Sequence, residues 1–112
     1  MDEQLFLTVA DAKLGQIEAA LERLIDESDV DIDVELKDGG VMEIACANGS
    51  KIIINRHSAA REIWIAARSG GYHFAFDGNA WLAARDGTEL MQVLSRCLTE
   101  QTGTVIALDH PA

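Results

Sequence analysis

The chain has 112 residues, 48% of them apolar and 25% charged, with one Pro and nine Gly. That is the balance of a single globular domain, and it excludes a disordered, fibrous or two-domain chain. A formal charge of −10 repels phosphate backbones and anionic lipid, so nucleic acid and membrane surfaces are disfavoured and cations or basic protein patches are favoured. The excess is local: residues 1–43 hold 13 acids and 3 bases, whereas residues 44–112 hold 6 of each.

Residues 4–27 read as a helix. At 100° per residue Phe6, Val9, Ala10, Ile17, Ala20, Leu21 and Leu24 share one face, with Lys13 as the flaw that must snorkel at its rim. Asp29 to Leu36 alternates strictly, which predicts a strand with Val30, Ile32, Val34 and Leu36 on one side and Asp29, Asp31, Asp33 and Glu35 on the other. Further strands are expected over 41–47, 51–56, 62–67 and around 72–76, with a short one at 80–84. The Gly39-Gly40, Asn48-Gly49, Gly70-Gly71 and Asp77-Gly78-Asn79 turns punctuate them. A second helix starts near Thr88, capped by Asp86 with Glu89 completing a capping box, and stops at Gly103. Its stripe is Leu90, Met91, Leu94, Cys97 and Leu98. The apolar tail around Val105-Ile106-Ala107-Leu108 is expected to pack on the helices, so that 104–112 belongs to one domain spanning 1–112.

A helix, five or six consecutive strands and a second helix, with short loops, imply an antiparallel meander. Both helices need somewhere to bury their stripes. The expected fold is therefore α+β: a two-layer sandwich with both helices on one face of a five- to six-stranded antiparallel sheet, the other face meeting water.

Cys46 and Cys97 fall at apolar positions and read as free, buried thiols, which suits a reducing compartment. The opening Met1-Asp2-Glu3 carries neither a basic region nor a long apolar run, and no stretch reaches the ~20 apolar residues that span a bilayer. The expected location is the cytoplasm.

The short turn between helix and first strand brings their acids onto one surface. Glu18, Glu22 and Asp26 follow one another at one helical turn, about 6 Å. Asp29, Asp31 and Asp33 repeat at about 6.5–7 Å. With Glu27 they form a ridge of seven carboxylates with few cations to neutralise it. Oxygen-only ligands suit hard cations (Mg²⁺, Ca²⁺, Mn²⁺, Fe²⁺ or Fe³⁺), but this spacing cannot close around one ion, so the sites should be weak and keep much of their water. The same ridge would attract an Arg/Lys-rich protein surface, or be a solvated face without a partner. Parity places Trp64 on the bare face of the sheet, where it can anchor a partner or pack on its neighbours, and puts Asn55 with Ile53 and Lys51 on one side of the third strand. His57, His73 and His110 share no spacing and read as ordinary surface histidines. Alike, wet carboxylates do not make an acid/base pair, and no serine sits in a nucleophile elbow, so an enzyme is not expected.

The run Asn48-Gly49-Ser50-Lys51-Ile52-Ile53-Ile54-Asn55-Arg56, followed by Ile63-Trp64-Ile65-Ala66, Gly70-Gly71-Tyr72-His73-Phe74, Trp81 and Asp86-Gly87, resembles the bacterial frataxins of the CyaY type. The likeness covers nearly the whole chain. It implies a non-catalytic, iron-binding regulator or iron donor of iron–sulfur cluster assembly that docks on the cysteine desulfurase and its scaffold protein. It also implies a monomer that can oligomerise with iron. Carried over by position, the metal residues are Glu18, Glu22, Asp26, Glu27, Asp29, Asp31 and Asp33, and the partner-binding residues are Glu18, Glu22, Asp26, Asn55 and Trp64. Other divalent cations could share the carboxylates. The sequence departs from the family pattern at His57, where Gln is usual, and at Arg61, where some bacterial members carry His. The alternative is an acidic docking adaptor whose metal binding is incidental.

Overall fold

Asp2 starts the first helix. Its carboxylate accepts a hydrogen bond from the Leu5 N–H at 2.8 Å and so satisfies one of the free donors of the first turn. The computed structural model describes residues 1–108, so the expectations for His110 and for 109–112 lie outside the described residues. Helix α1 runs Glu3–Glu27 and buries Phe6, Ala10, Ile17, Ala20 and Leu21, with Val9 and Leu24 half-buried. Lys13, the flaw in this stripe, is half-buried and sets its ammonium 3.7 Å from Glu89. Six strands follow: β1 Ile32–Lys37, β2 Val41–Cys46, β3 Lys51–His57, β4 Glu62–Ala67, β5 Gly70–Phe76 and β6 Trp81–Ala83. They pair in chain order, all antiparallel. Helix α2, Leu90–Thr102, closes the order and ends at Gly103, whose φ of 75° is the left-handed conformation that a helix stop needs.

Alternation decides the layers. Ile32, Met42, Ile44, Cys46, Ile52, Ile54, Ile63, Ile65, Phe74, Trp81 and Ala83 form one buried cluster with the helix stripes, α2 adding Leu90, Met91, Val93, Leu94, Cys97 and Leu98. Each fully buried aliphatic or aromatic side chain in such a layer contributes about 1.5–3 kcal/mol. The chain is thus an α+β sandwich with its helices on one sheet face, and Asp33, Glu43, Asn55, Trp64 and His73 project on the other.

Two local expectations change. The first strand begins at Ile32, not Asp29, because the partner strand ends at Cys46, which pairs with Ile32, so Asp29 and Asp31 have no ladder to join. Helix α2 is capped by Glu89 rather than Asp86. The Glu89 carboxylate accepts from Met91 N–H at 2.6 Å and Gln92 N–H at 3.3 Å, while Asp86 accepts from Thr88 N–H within the preceding turn. An Ala83 N–H bond to the Thr88 carbonyl at 2.8 Å and a Leu82–Glu89 bridge hold 88–89 extended against β6, so the helix cannot start sooner.

Residues 104–108 return along α2. Ile106 and Leu108 are buried, the Ile106 N–H donates to Thr99 Oγ1 at 2.9 Å and the Leu108 N–H donates to Ser95 Oγ at 2.9 Å. Among the described residues no helix is long and apolar enough to cross a membrane.

Candidate functional site

Helix α1 carries Glu18, Glu22, Asp26 and Glu27 along its last three turns, Glu18 half-buried and the others exposed. Ser28 ends the helix by donating to the Leu24 carbonyl at 2.7 Å, and the chain turns at once into the edge strand. Asp29 and Asp31 are exposed in this connection. They line a notch of about 280 Å³ with Val30, Ala47, Asn48, Gln101, Thr102 and Thr104, at the C-terminal and therefore electronegative end of α2. Asp33 follows on β1. Ile32 and Val34 turn toward the core, so Asp33 turns to the open sheet face. The seven carboxylates thus run from the helix, through the connection and around the sheet edge. None of them makes an ion pair among the described residues, whereas Asp11, farther up the helix, is paired with Arg56 of β3. No group of three or more His, Cys, Asp or Glu residues stands close enough to hold one metal ion among the described residues. The strip can therefore bind cations through one or two carboxylates and water, or meet a basic surface.

The open sheet face is the second element of the site. Strand register places Asn55, Trp64 and His73 in one row across β3, β4 and β5. Trp64 stacks on His73 with ring centres 4.3 Å apart and an 8° tilt, and on His57 with 3.9 Å and 12°. Its indole N–H donates to Glu62 Oε1 at 2.8 Å, and the same oxygen lies 3.7 Å from His73 Nδ1. Asn55 Nδ2 donates to the Arg56 carbonyl at 3.3 Å. Nearer the edge, Glu43 accepts from Lys37 Nζ at 2.6 Å and faces Lys51 Nζ at 2.7 Å, and these two ammonium groups hold its carboxyl down at about 2. Glu43 and Glu62 of the face thus have partners, whereas the seven acids of the strip have no ion pair among the described residues.

The histidines were missed as a pair. His57 and His73, taken singly as ordinary surface residues, flank Trp64 from both sides. The signal lay in parity and register: β3 extends through His57, and residues 57, 64 and 73 all point away from the core. Cys46 and Cys97 are free and buried, and burial pushes the Cys97 thiol above its usual range.

The family described as "Frataxin-like domain" matches residues 1–104. "Iron-sulfur cluster assembly protein CyaY" of Dechloromonas aromatica (strain RCB) is 50% identical over 108 residues, 96% of this chain and 99% of that one. The protein of the same name from Janthinobacterium sp. (strain Marseille) is 46% identical over 109 residues, 96% of each. Among solved structures, the frataxin of Psychromonas ingrahamii superposes with a TM-score of 0.80 at 25% identity, covering 98% of this chain and 100% of that one. A trimeric frataxin of Saccharomyces cerevisiae, complexed with ferrous iron, gives 0.72 at 29% identity over 85% and 86%. With the family matched over nearly its whole length and relatives at this identity, the chain belongs to the frataxin-like family.

Proposed function

We propose that this chain is a non-catalytic, iron-binding regulator or iron donor in iron–sulfur cluster assembly. The observation that carries the reading is the strip of seven carboxylates without an ion pair among the described residues, in a chain half identical to a protein named for iron–sulfur cluster assembly. Glu18, Glu22, Asp26, Glu27, Asp29, Asp31 and Asp33 take Fe²⁺ or Fe³⁺ weakly, each ion held by one or two carboxylates and water. The ferrous complex of a yeast frataxin of the same fold supports iron as the cargo. Glu18, Glu22 and Asp26 also meet a basic patch of the cysteine desulfurase, and Asn55 and Trp64 on the open sheet face meet the assembly complex that the desulfurase forms with its scaffold. The resting state is a monomer in the cytoplasm, with iron promoting association.

Anaerobic titration with Fe²⁺, followed by backbone amide signals, tests the metal assignment. Signals of residues 18–33 shift or broaden first. If they stay fixed while others move, the assignment fails.

A second reading has its own support: the carboxylates do not gather three to a site among the described residues. On that reading the strip is a docking adaptor and metal affinity is incidental. Replacing Glu18, Glu22 and Asp26 by Lys, with desulfurase binding measured with and without iron, separates the two. Loss of binding that iron does not influence favours the adaptor.

A further inference from the structure

Trp64 sits at the centre of the open sheet face, but neither face of its indole is available. His57 covers one at 3.9 Å and His73 the other at 4.3 Å, both nearly parallel to it. The ring N–H is taken by Glu62. Side chains stand roughly perpendicular to a sheet, so what the three rings offer to solvent is their outer edges. An aromatic edge is the positive part of the ring quadrupole and complements oxygen acceptors. The His57 ring is itself held from the following turn, its Nδ1 accepting from the Ala60 N–H at 3.3 Å.

We propose that His57 and His73 are positioning residues for Trp64, clamping the indole upright so that a partner meets the outer C–H edge of the indole held at a fixed angle between two stacked rings. The partner surface it fits is rich in acceptors, such as the carbonyls of an exposed loop or strand, rather than one that stacks on the indole. The inference rests on the proposed docking of this face to the desulfurase–scaffold complex. Clamping removes the rotamer freedom that a lone exposed Trp would lose on docking, and this loss corresponds to about 3- to 10-fold in affinity.

The test compares His57→Ala, His73→Ala, His57→Phe, His73→Phe and Trp64→Ala, each for binding to the purified desulfurase–scaffold complex. The near-UV circular dichroism of Trp64 is taken as the difference from Trp64→Phe, which removes the contribution of buried Trp81. The Ala variants should keep the parent melting temperature, lose the stacked-indole band and bind about 3- to 10-fold more weakly. The Phe variants, which restore a stacking ring, should recover the band and come within about twofold of the parent affinity. Ala variants that bind like the parent while Trp64→Ala does not would overturn the clamp. So would Phe variants that recover the band but not the affinity, since the imidazoles would then be contacting the partner themselves. If Trp64→Ala binds like the parent, docking through this face is wrong and the clamp has no role.

Discussion

Gln101 Oε1 accepts a hydrogen bond from the backbone N–H of Arg68 at 2.9 Å. Its Nε2 donates to Ser50 Oγ at 3.0 Å and to the Lys51 carbonyl at 3.3 Å, and the residue is 3% exposed. One buried amide near the end of α2 therefore clamps the β2–β3 turn and the β4–β5 turn together. Asn48 of the first turn completes the joint by donating to the Gln101 carbonyl at 2.8 Å.

Replacing Gln101 by Leu keeps the volume and strands the Arg68 N–H and the Lys51 carbonyl. A buried group left without a partner costs about 1–3 kcal/mol, so the melting temperature should fall by roughly 4–12 °C. Gln101→Glu should fall further at neutral pH, because it buries a charge and sets a carboxylate oxygen against the Lys51 carbonyl, and should recover in part on acidification. A Gln101→Leu variant that melts with the parent would show the clamp to be idle.

The carboxylate strip should act against stability. Glu18–Glu22 and Glu22–Asp26 are like charges one turn apart, each pair destabilising by a few tenths of a kcal/mol. Glu22→Gln with Asp26→Asn should raise the melting temperature slightly at low ionic strength, and added NaCl should raise that of the parent more than that of the double variant. Divalent cations should also raise the parent's melting temperature by binding the folded state. Parallel salt curves for the two proteins would show that the acids do not interact.

Glu43 predicts a loss of stability in acid. Its hydrogen bond from Lys37, then that from Lys51, lowers its carboxyl from 4.5 to about 2. A lowered folded-state value means that stability from this triad is fully present above about 4.5, the value in the unfolded chain, and drains away as pH falls toward 2. Asp77, held by the Ala80 and Asn79 N–H groups, and Asp86, held by Thr88, are lowered too and drain in the same direction. The parent's acid limb is therefore a composite of several groups. Subtracting the Glu43→Gln limb from that of the parent isolates the triad: the difference should be constant above pH 5 and shrink below 4.5. A difference that does not change between pH 5 and 3 would remove Glu43 as a contributor.

Period-two alternation was enough to read the sheet, because every strand buries one face and a slip of one residue would bury Asp, Asn or His. It placed Ile63 and Ile65 inward and Trp64 outward, as observed. It could not say where a strand ends. Asp29 and Asp31 alternate as well as Asp33 does, and only the length of β2 decides that they stay outside the ladder. The α2 cap was misread for a related reason: Asp86 has the preferred chemistry, but β6 holds the chain extended through Glu89. The ring clamp at Trp64 required the register of three strands at once. Spacings of seven and nine between residues 57, 64 and 73 carry no motif until two hairpins are built.

The return segment after α2 packs between the two helices. Ile106 is 5% and Leu108 7% exposed, and Ala107 and Leu108 line a groove with Ala20, Arg23, Leu24 and Glu27 of α1. The segment therefore lies against both helices and covers apolar surface that each would otherwise expose. Its backbone is fixed by Thr99 and Ser95, whose hydroxyls accept the Ile106 and Leu108 N–H groups. Ile106→Ala should cost about 2–4 kcal/mol if the site cannot collapse, in line with other buried Ile and Leu truncations. A chain ending after Gly103 should lose at least that much, because it removes Leu108 and both backbone bonds as well. Val105→Ala is the control: Val105 is 89% exposed and should change the melting temperature by little. Equal melting of the truncated and full chains would mean that the helices pack as tightly without the segment, and Ile106→Ala would then be silent too.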